Sequence, residues 1–327
     1  MFQRRTILKG SLAAGALGAF PAIARAQAKV DAPFPIFDTH AHFYTDQPDK
    51  YPFQATNSRY GAEHMINKAM TNPMNPEAVM KFWEEGNIEM GTGVQYNSAY
   101  STDNSYLLDV AAEYPSRILS VVILDPVAPD TPDTLRRMAK ENRITGVRFM
   151  GGGGPAGYSF FKEASHPAWE AATELGLVVV LMPFGGNAMM SLHEYATRYP
   201  DTNIVLDHMA FPNPEQFPDT FGFTPIHHAL AAHKNVYYKY TTFQLQETLV
   251  PQNIDLAAFM DYAVALYGAD HFVWGSDIGN SVVDQIEYLQ KALDSTKQLT
   301  YAQRRAIFFD NAYRIFRPGG GSPVMHI

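Results

Sequence analysis

The stretch at residues 36–42, I-F-D-T-H-A-H, sets three ionisable side chains, Asp38, His40 and His42, at every second position of a short apolar strand. Side chains alternate across a strand, so all three are expected on one side. Burying such groups costs free energy unless they are paired or put to use. Other apolar runs also end in ionisable residues. Arg148 closes the run at 144–150 in phase with Gly146, with Thr145, Val147 and Phe149 on the opposite face. His208 closes 203–208 on the face of Ile204 and Leu206. Lys239 lies near the end of 235–240, and Asp277 follows 271–274 in phase with Gly275. Asp38 and Asp277 are the strand-end carboxylates in evident phase. A capping aspartate, a core imidazole or a surface lysine would explain any one of these endings taken singly.

The elements that must position them read as a repeated strand–helix alternation. Expected strands cover 36–42, 91–96, 118–125, 144–150, 177–182, 203–208, 235–240 and 271–274, each followed by a helical pattern. Most are short and continuously apolar, as strands buried on both faces are. Eight such repeats predict an α/β chain folded as a single (β/α)8 TIM-type barrel, with a long insertion after strand one. An open doubly wound sheet is the competing arrangement. It would carry a Gly-rich phosphate turn after its first strand, where this chain has D-T-H-A-H. Gly151 to Gly154 lack a phosphate-binding frame and read as a loop. The insertion at 43–75 is read as irregular, aromatic and Met-rich, and as a lid or pocket wall. In a barrel the C-terminal strand ends form one mouth, so the five ionisable endings would converge there.

The full chain has 327 residues and a formal charge of −8. Its first 26 residues carry Arg4, Arg5, Lys9 and Arg25, so the remainder stands at −12. With no basic run, that balance argues against nucleic acid or anionic lipid as a partner. The absence of cysteine excludes disulfides, thiolate ligands and a cysteine nucleophile. Arg4-Arg5, the apolar run at 11–22 and Ala24-Arg25-Ala26 read as a twin-arginine signal peptide over 1–26. The expected path is export of a folded chain to the periplasm by the twin-arginine translocase. The apolar run is too short for a stable membrane span. The barrel is assigned to 27–317, with a Gly/Pro-rich tail at 318–327. Assembly into a homo-oligomer is left open.

D-T-H-A-H at 38–42, G-V-R-F at 146–149, V-L-D-H-M at 205–209, W-G-S-D at 274–277 and D-N-A-Y-R-I-F at 310–316 together resemble the amidohydrolase superfamily. Within it they resemble the branch of 2-pyrone-4,6-dicarboxylate lactonase and the sugar-acid lactonases. The resemblance implies a hydrolase of a lactone or related ester. It implies that His40, His42 and Asp277 can hold a divalent metal, with zinc suited to the donor set. Metal-binding members commonly add a histidine after strand five, where this chain has Met182-Pro183-Phe184. The expectation is therefore weak metal binding or none. Asp277 then acts as the general base, and His40, His42 and His208 bond the lactone carbonyl. Arg148 is expected to grip a substrate carboxylate, with Lys239, Tyr100 and Phe184 as further binding residues. Relatives often continue the last two motifs as D-W-P-H and H-M-G-R-P. Here they read Asp277-Ile278-Gly279-Asn280 and His208-Met209-Ala210-Phe211-Pro212, which implies a different and less anionic substrate. The expected partner is a small carboxylated or aromatic lactone or ester. A zinc-dependent decarboxylase and a periplasmic binding module are the alternatives.

Overall fold

The computed structural model describes residues 29–55, 58, 60–151, 157–183 and 186–317. The expected leader at 1–26, the expected tail at 318–327, glycines 152–154 and Phe184 lie outside these residues. The strands are β1 (Ile36–Ala41), β2 (Ile88–Val94), β3 (Ile118–Leu124) and β4 (Gly146–Phe149), then β5 (Val178–Leu181), β6 (Ile204–Leu206), β7 (Val236–Thr241) and β8 (Phe272–Gly275). They pair in chain order, all parallel, as one eight-stranded sheet. β8 returns to β1. The Thr39 hydroxyl donates to the Trp274 carbonyl at 2.7 Å, and the His42 amide donates to the Ile278 carbonyl at 3.0 Å. The chain is the expected (β/α)8 barrel.

Both strand faces are buried, which is why simple polar–apolar alternation is missing. The inner face packs Phe37, Val121, Val178, Val180, Val205 and Val273. Phe309 and Phe316, from the C-terminal helical segment, pack on Phe37 with ring centroids 6.4 and 6.2 Å away. The outer faces belong to a second cluster with the surrounding helices, for example Phe149 against Trp169 at 5.7 Å. Gly275 permits close closure at the mouth, since a Cβ there would lie 2.7 Å from His40 Cβ.

Two expectations are corrected. The insertion after β1 is not wholly irregular: it contains helix α1 (Ala62–Thr71), and Tyr44 forms a bridge to Met74. α1 buries only Met65 and Ala69, so its helical pattern in the sequence reduces to a single i, i+4 pair. β6 ends at Leu206, two residues early, because His208, Met209, Ala210 and Phe211 all take left-handed φ of 54–56°. A non-glycine residue there costs on the order of 1 kcal/mol or more. Such a run persists only where the surroundings hold it in place.

The helix Pro225–Leu230 carries a pH-dependent cap. The Thr224 amide donates to His227 Nδ1 at 3.0 Å. Burial, with His228 beside it, pushes the His227 imidazole down to about 4. The unfolded chain takes up this proton near pH 6.5 and the folded chain only near pH 4, so stability falls as pH drops through that window. His227→Gln keeps an acceptor at the cap. Between pH 6.5 and 4 it is expected to flatten the pH slope of unfolding free energy by up to about 1.4 kcal/mol per pH unit, read by urea denaturation.

Candidate active site

The barrel mouth holds a cavity of about 510 Å³. His40, His42, Arg148, His208 and Asp277 all line it, brought from β1, β4 and the segments after β6 and β8. Met150, Met182, Phe211 and Phe243 supply its apolar wall, and Tyr96, Asn97, Ser98 and Asn280 are among its polar residues. Tyr100 does not line this cavity. Its hydroxyl accepts from the Thr45 amide at 3.1 Å and its ring stacks on Phe53 at 5.5 Å, so it braces the insertion. Lys239 is fully buried in the hydrogen-bonded network behind His40.

His40 Nε2, His42 Nε2 and Asp277 Oδ1 form a triangle with sides of 3.2, 3.5 and 3.4 Å. His42 Nδ1 lies 2.8 Å from the Val94 carbonyl. A carbonyl only accepts, so Nδ1 carries the proton and the Nε2 lone pair faces the triangle. His40 Nδ1 lies between an acceptor and a donor, 3.4 Å from Asp207 Oδ1 and 3.4 Å from Lys239 Nζ. Burial, reinforced by Lys239, pushes the His40 imidazole well below its usual value, so it is neutral. The His42 lone pair, His40 Nε2 and the Asp277 carboxylate thus converge on one point, a donor set that suits a cation. Tetrahedral coordination at about 2.0–2.1 Å requires ligand atoms about 3.3–3.4 Å apart, close to the observed sides. The outer nitrogen of His42 bonds a carbonyl, as those of metal-ligating histidines commonly do, and that of His40 faces the Asp207–Lys239 pair. The His40–His42–Asp277 cluster can therefore coordinate a divalent metal. Among the described residues it is the one such group of three or more.

Asp277 is itself left-handed, with φ 52°. Its Oδ2 accepts from Asn280 Nδ2 at 2.8 Å and Ser281 Oγ at 2.9 Å, leaving Oδ1 for the histidines. Burial alone would raise its pKa, but the surrounding His42, His40 and His208 imidazoles outweigh it and keep the group a carboxylate. Tyr96 ties into this set, its hydroxyl donating to Asn280 Oδ1 at 3.1 Å. His208 sits between Phe211 and Phe243, with centroids 4.9 and 4.8 Å away, and its Nδ1 meets Thr241 Oγ1 at 2.7 Å. Burial pushes the His208 imidazole down to about 4.

The strand-phase reading is corrected at three residues. Ile204 and Leu206 face outward and Val205 faces inward, so Asp207, not His208, continues the inner face of β6. His208 reaches the mouth through its left-handed backbone. Asp207 is a further strand-end carboxylate, and its parity with Val205 was the available signal. Asp207 Oδ2 forms an ion pair with Arg148 Nη2 at 2.8 Å, and Oδ1 forms one with Lys239 Nζ at 2.9 Å. Burial would raise its pKa, yet Lys239 and Arg148 hold it well below the usual range. Asp38 does not join His40 and His42, because the register of β1 is irregular. Its carboxylate accepts from the Ser276 amide and hydroxyl at 2.8 and 2.6 Å and from Trp83 Nε1 at 3.0 Å. It is a staple between β1, the β8 end and helix α2 (Pro76–Glu85).

A parallel barrel with a His-x-His pair and a strand-eight aspartate at its mouth defines a class of hydrolytic enzymes. The amidohydrolase family model matches residues 37–317, and the chain belongs to that family. It is 27% identical to L-fucono-1,5-lactonase of Burkholderia ambifaria over 67% of this chain and 78% of that one. Among solved structures it is similar to a Pseudomonas putida protein named for 2-pyrone-4,6-dicarboxylic acid hydrolysis (TM-score 0.65, 22% identity, 87% of this chain, 98% of that one). It is also similar to a Burkholderia multivorans amidohydrolase with bound zinc (TM-score 0.66, 18% identity, 86% and 99%).

Asp207→Asn removes the charge shared by two buried cations. It is expected to destabilise the fold by about 3–5 kcal/mol, read as a shifted denaturant midpoint. Arg136→Ala, which breaks an exposed pair with Glu174, should leave the midpoint nearly unchanged in the same assay.

Proposed function

We propose that this enzyme opens a lactone with water activated at Asp277. The observation that carries the reading is the convergence of Asp277 Oδ1 with the two Nε2 atoms on one point of the cavity wall. Asp277, held as a carboxylate, takes a proton from the attacking water. His208 is neutral above about pH 4. With the Thr241 hydroxyl donating to Nδ1, its Nε2–H is available to the lactone carbonyl and to the oxyanion that develops there. Opening the ring frees an alcohol oxygen, which leaves with the proton that Asp277 had taken. Arg148 Nη2 is engaged by Asp207, but its buried Nε–H has no hydrogen-bond partner among the described residues and suits a substrate carboxylate or ring oxygen. The Met150, Met182, Phe211 and Phe243 wall favours a planar or aromatic body.

The donor set at His40, His42 and Asp277 suits zinc, and the zinc-bearing amidohydrolase of similar fold supports that choice. Such an ion would supply Lewis acidity and acidify a water. The sequence similarity to L-fucono-1,5-lactonase supports cyclic esters as the substrate class.

The test is a screen of sugar lactones, carboxylated pyrones and dihydrocoumarin with the wild-type protein and Asp277→Asn. The variant should lose about 10²–10⁴-fold in kcat/KM with unchanged thermal unfolding. Near-full activity would remove Asp277 from the reaction. Elemental analysis after zinc loading should find about one zinc per chain, lost in His40→Ala, with three donors converging at one site.

A further inference from the structure

The insertion after β1 reaches the Asp277 turn from outside the cavity. Lys68 of α1 donates from Nζ to the Gly279 carbonyl at 2.6 Å, and the Tyr44 hydroxyl donates to the same oxygen at 3.2 Å. The ammonium lies 5.6 Å from the Tyr44 ring centroid. A charged donor makes the stronger of the two bonds. Burial lowers the Lys68 pKa while the Asp277 carboxylate opposes that shift, so the two groups sense each other.

Gly279 has φ 92°, and a Cβ there would lie 2.8 Å from the His42 carbonyl oxygen. The turn is thus pressed onto the strand that carries the two histidines. It closes by the Asn280 and Ser281 amides donating to the Asp277 carbonyl at 3.1 and 3.0 Å. The side chains of the same two residues hold Asp277 Oδ2. Where Oδ1 points therefore depends on the shape of this turn, and Gly279 is where the insertion grips it.

We propose that Lys68 is a positioning residue: through the Gly279 carbonyl, α1 clamps the turn that aims Asp277 at the two histidines. The insertion then acts on the reaction without contributing a side chain to it. The link to turnover rests on the hydrolase reading, whereas the clamp itself does not.

The experiment compares wild type with Lys68→Met, which keeps the apolar stem, with Lys68→Arg, which keeps the charge, and with Tyr44→Phe. Hydrogen exchange is followed over residues 276–282, and dihydrocoumarin hydrolysis is measured alongside. In Lys68→Met the Asn280 and Ser281 amides should exchange at least tenfold faster, with the β1 and β8 amides unchanged. Its kcat should fall at least tenfold with KM within twofold, and Lys68→Arg should recover most of both losses. Tyr44→Phe, which removes the weaker bond, should give a smaller change in the same direction. Unchanged exchange in Lys68→Met overturns the clamp whatever the activity. Faster exchange with full kcat overturns the aiming of Asp277. If wild type does not turn over dihydrocoumarin, exchange alone decides the clamp.

Discussion

The site depends on one buried carboxylate that is absent from the cavity lining. Asp207 lies fully buried on the inner face of the barrel and takes an ammonium on one oxygen and a guanidinium on the other. Lys239 comes from β7 and Arg148 from β4, and Asp207 also faces His40 Nδ1 from β1. Three strands are joined through this group. The desolvation cost of burying such charges is large, and it is offset only when every partner is in place. The arrangement also fixes the chemistry above it. Asp207 and Lys239 together hold His40 Nδ1, so that Nε2 faces His42 and Asp277.

His208 shows the complementary strategy. Where β6 should continue, four residues adopt a strained backbone, and the strain exchanges the two faces of the strand end. Asp207 stays inward as the charge hub, and His208 swings over the mouth to stack on His40 with centroids 5.5 Å apart. Straight strand geometry could not place two consecutive residues on the same side. The cost is borne by packing against Phe211 and Phe243 and by the bond to Thr241. Asp277 repeats the device at the end of β8. Departures from ideal backbone thus occur where side chains must be aimed, a pattern common at functional sites.

The aspartates at the mouth show how environment separates identical side chains. Asp207 has two cations, Asp277 has imidazoles and two neutral donors, and Asp38 has only neutral donors. Burial raises the Asp38 pKa despite the hydrogen bonds from Ser276. Cations pull the Asp207 pKa down, and the imidazoles do the same for Asp277. Only Asp277 faces both the cavity and a set of electron-pair donors.

The sequence by itself determined the barrel and most of its mouth. Strands buried on both faces must be continuously apolar, and eight strand–helix repeats leave few ways to close a sheet. His40, His42, Arg148, His208 and Asp277 were legible because polar residues ending such runs have few places to go. Tertiary structure decided which of them face the same point. The irregular register of β1 sent Asp38 away from its neighbours, and the left-handed run after β6 carried His208 to the mouth against its strand parity. Neither could be read from alternation, because both arise from contacts between strands far apart in the chain. The same holds for α1. Its two buried residues carry little pattern, and its grip on Gly279 spans 211 positions in sequence.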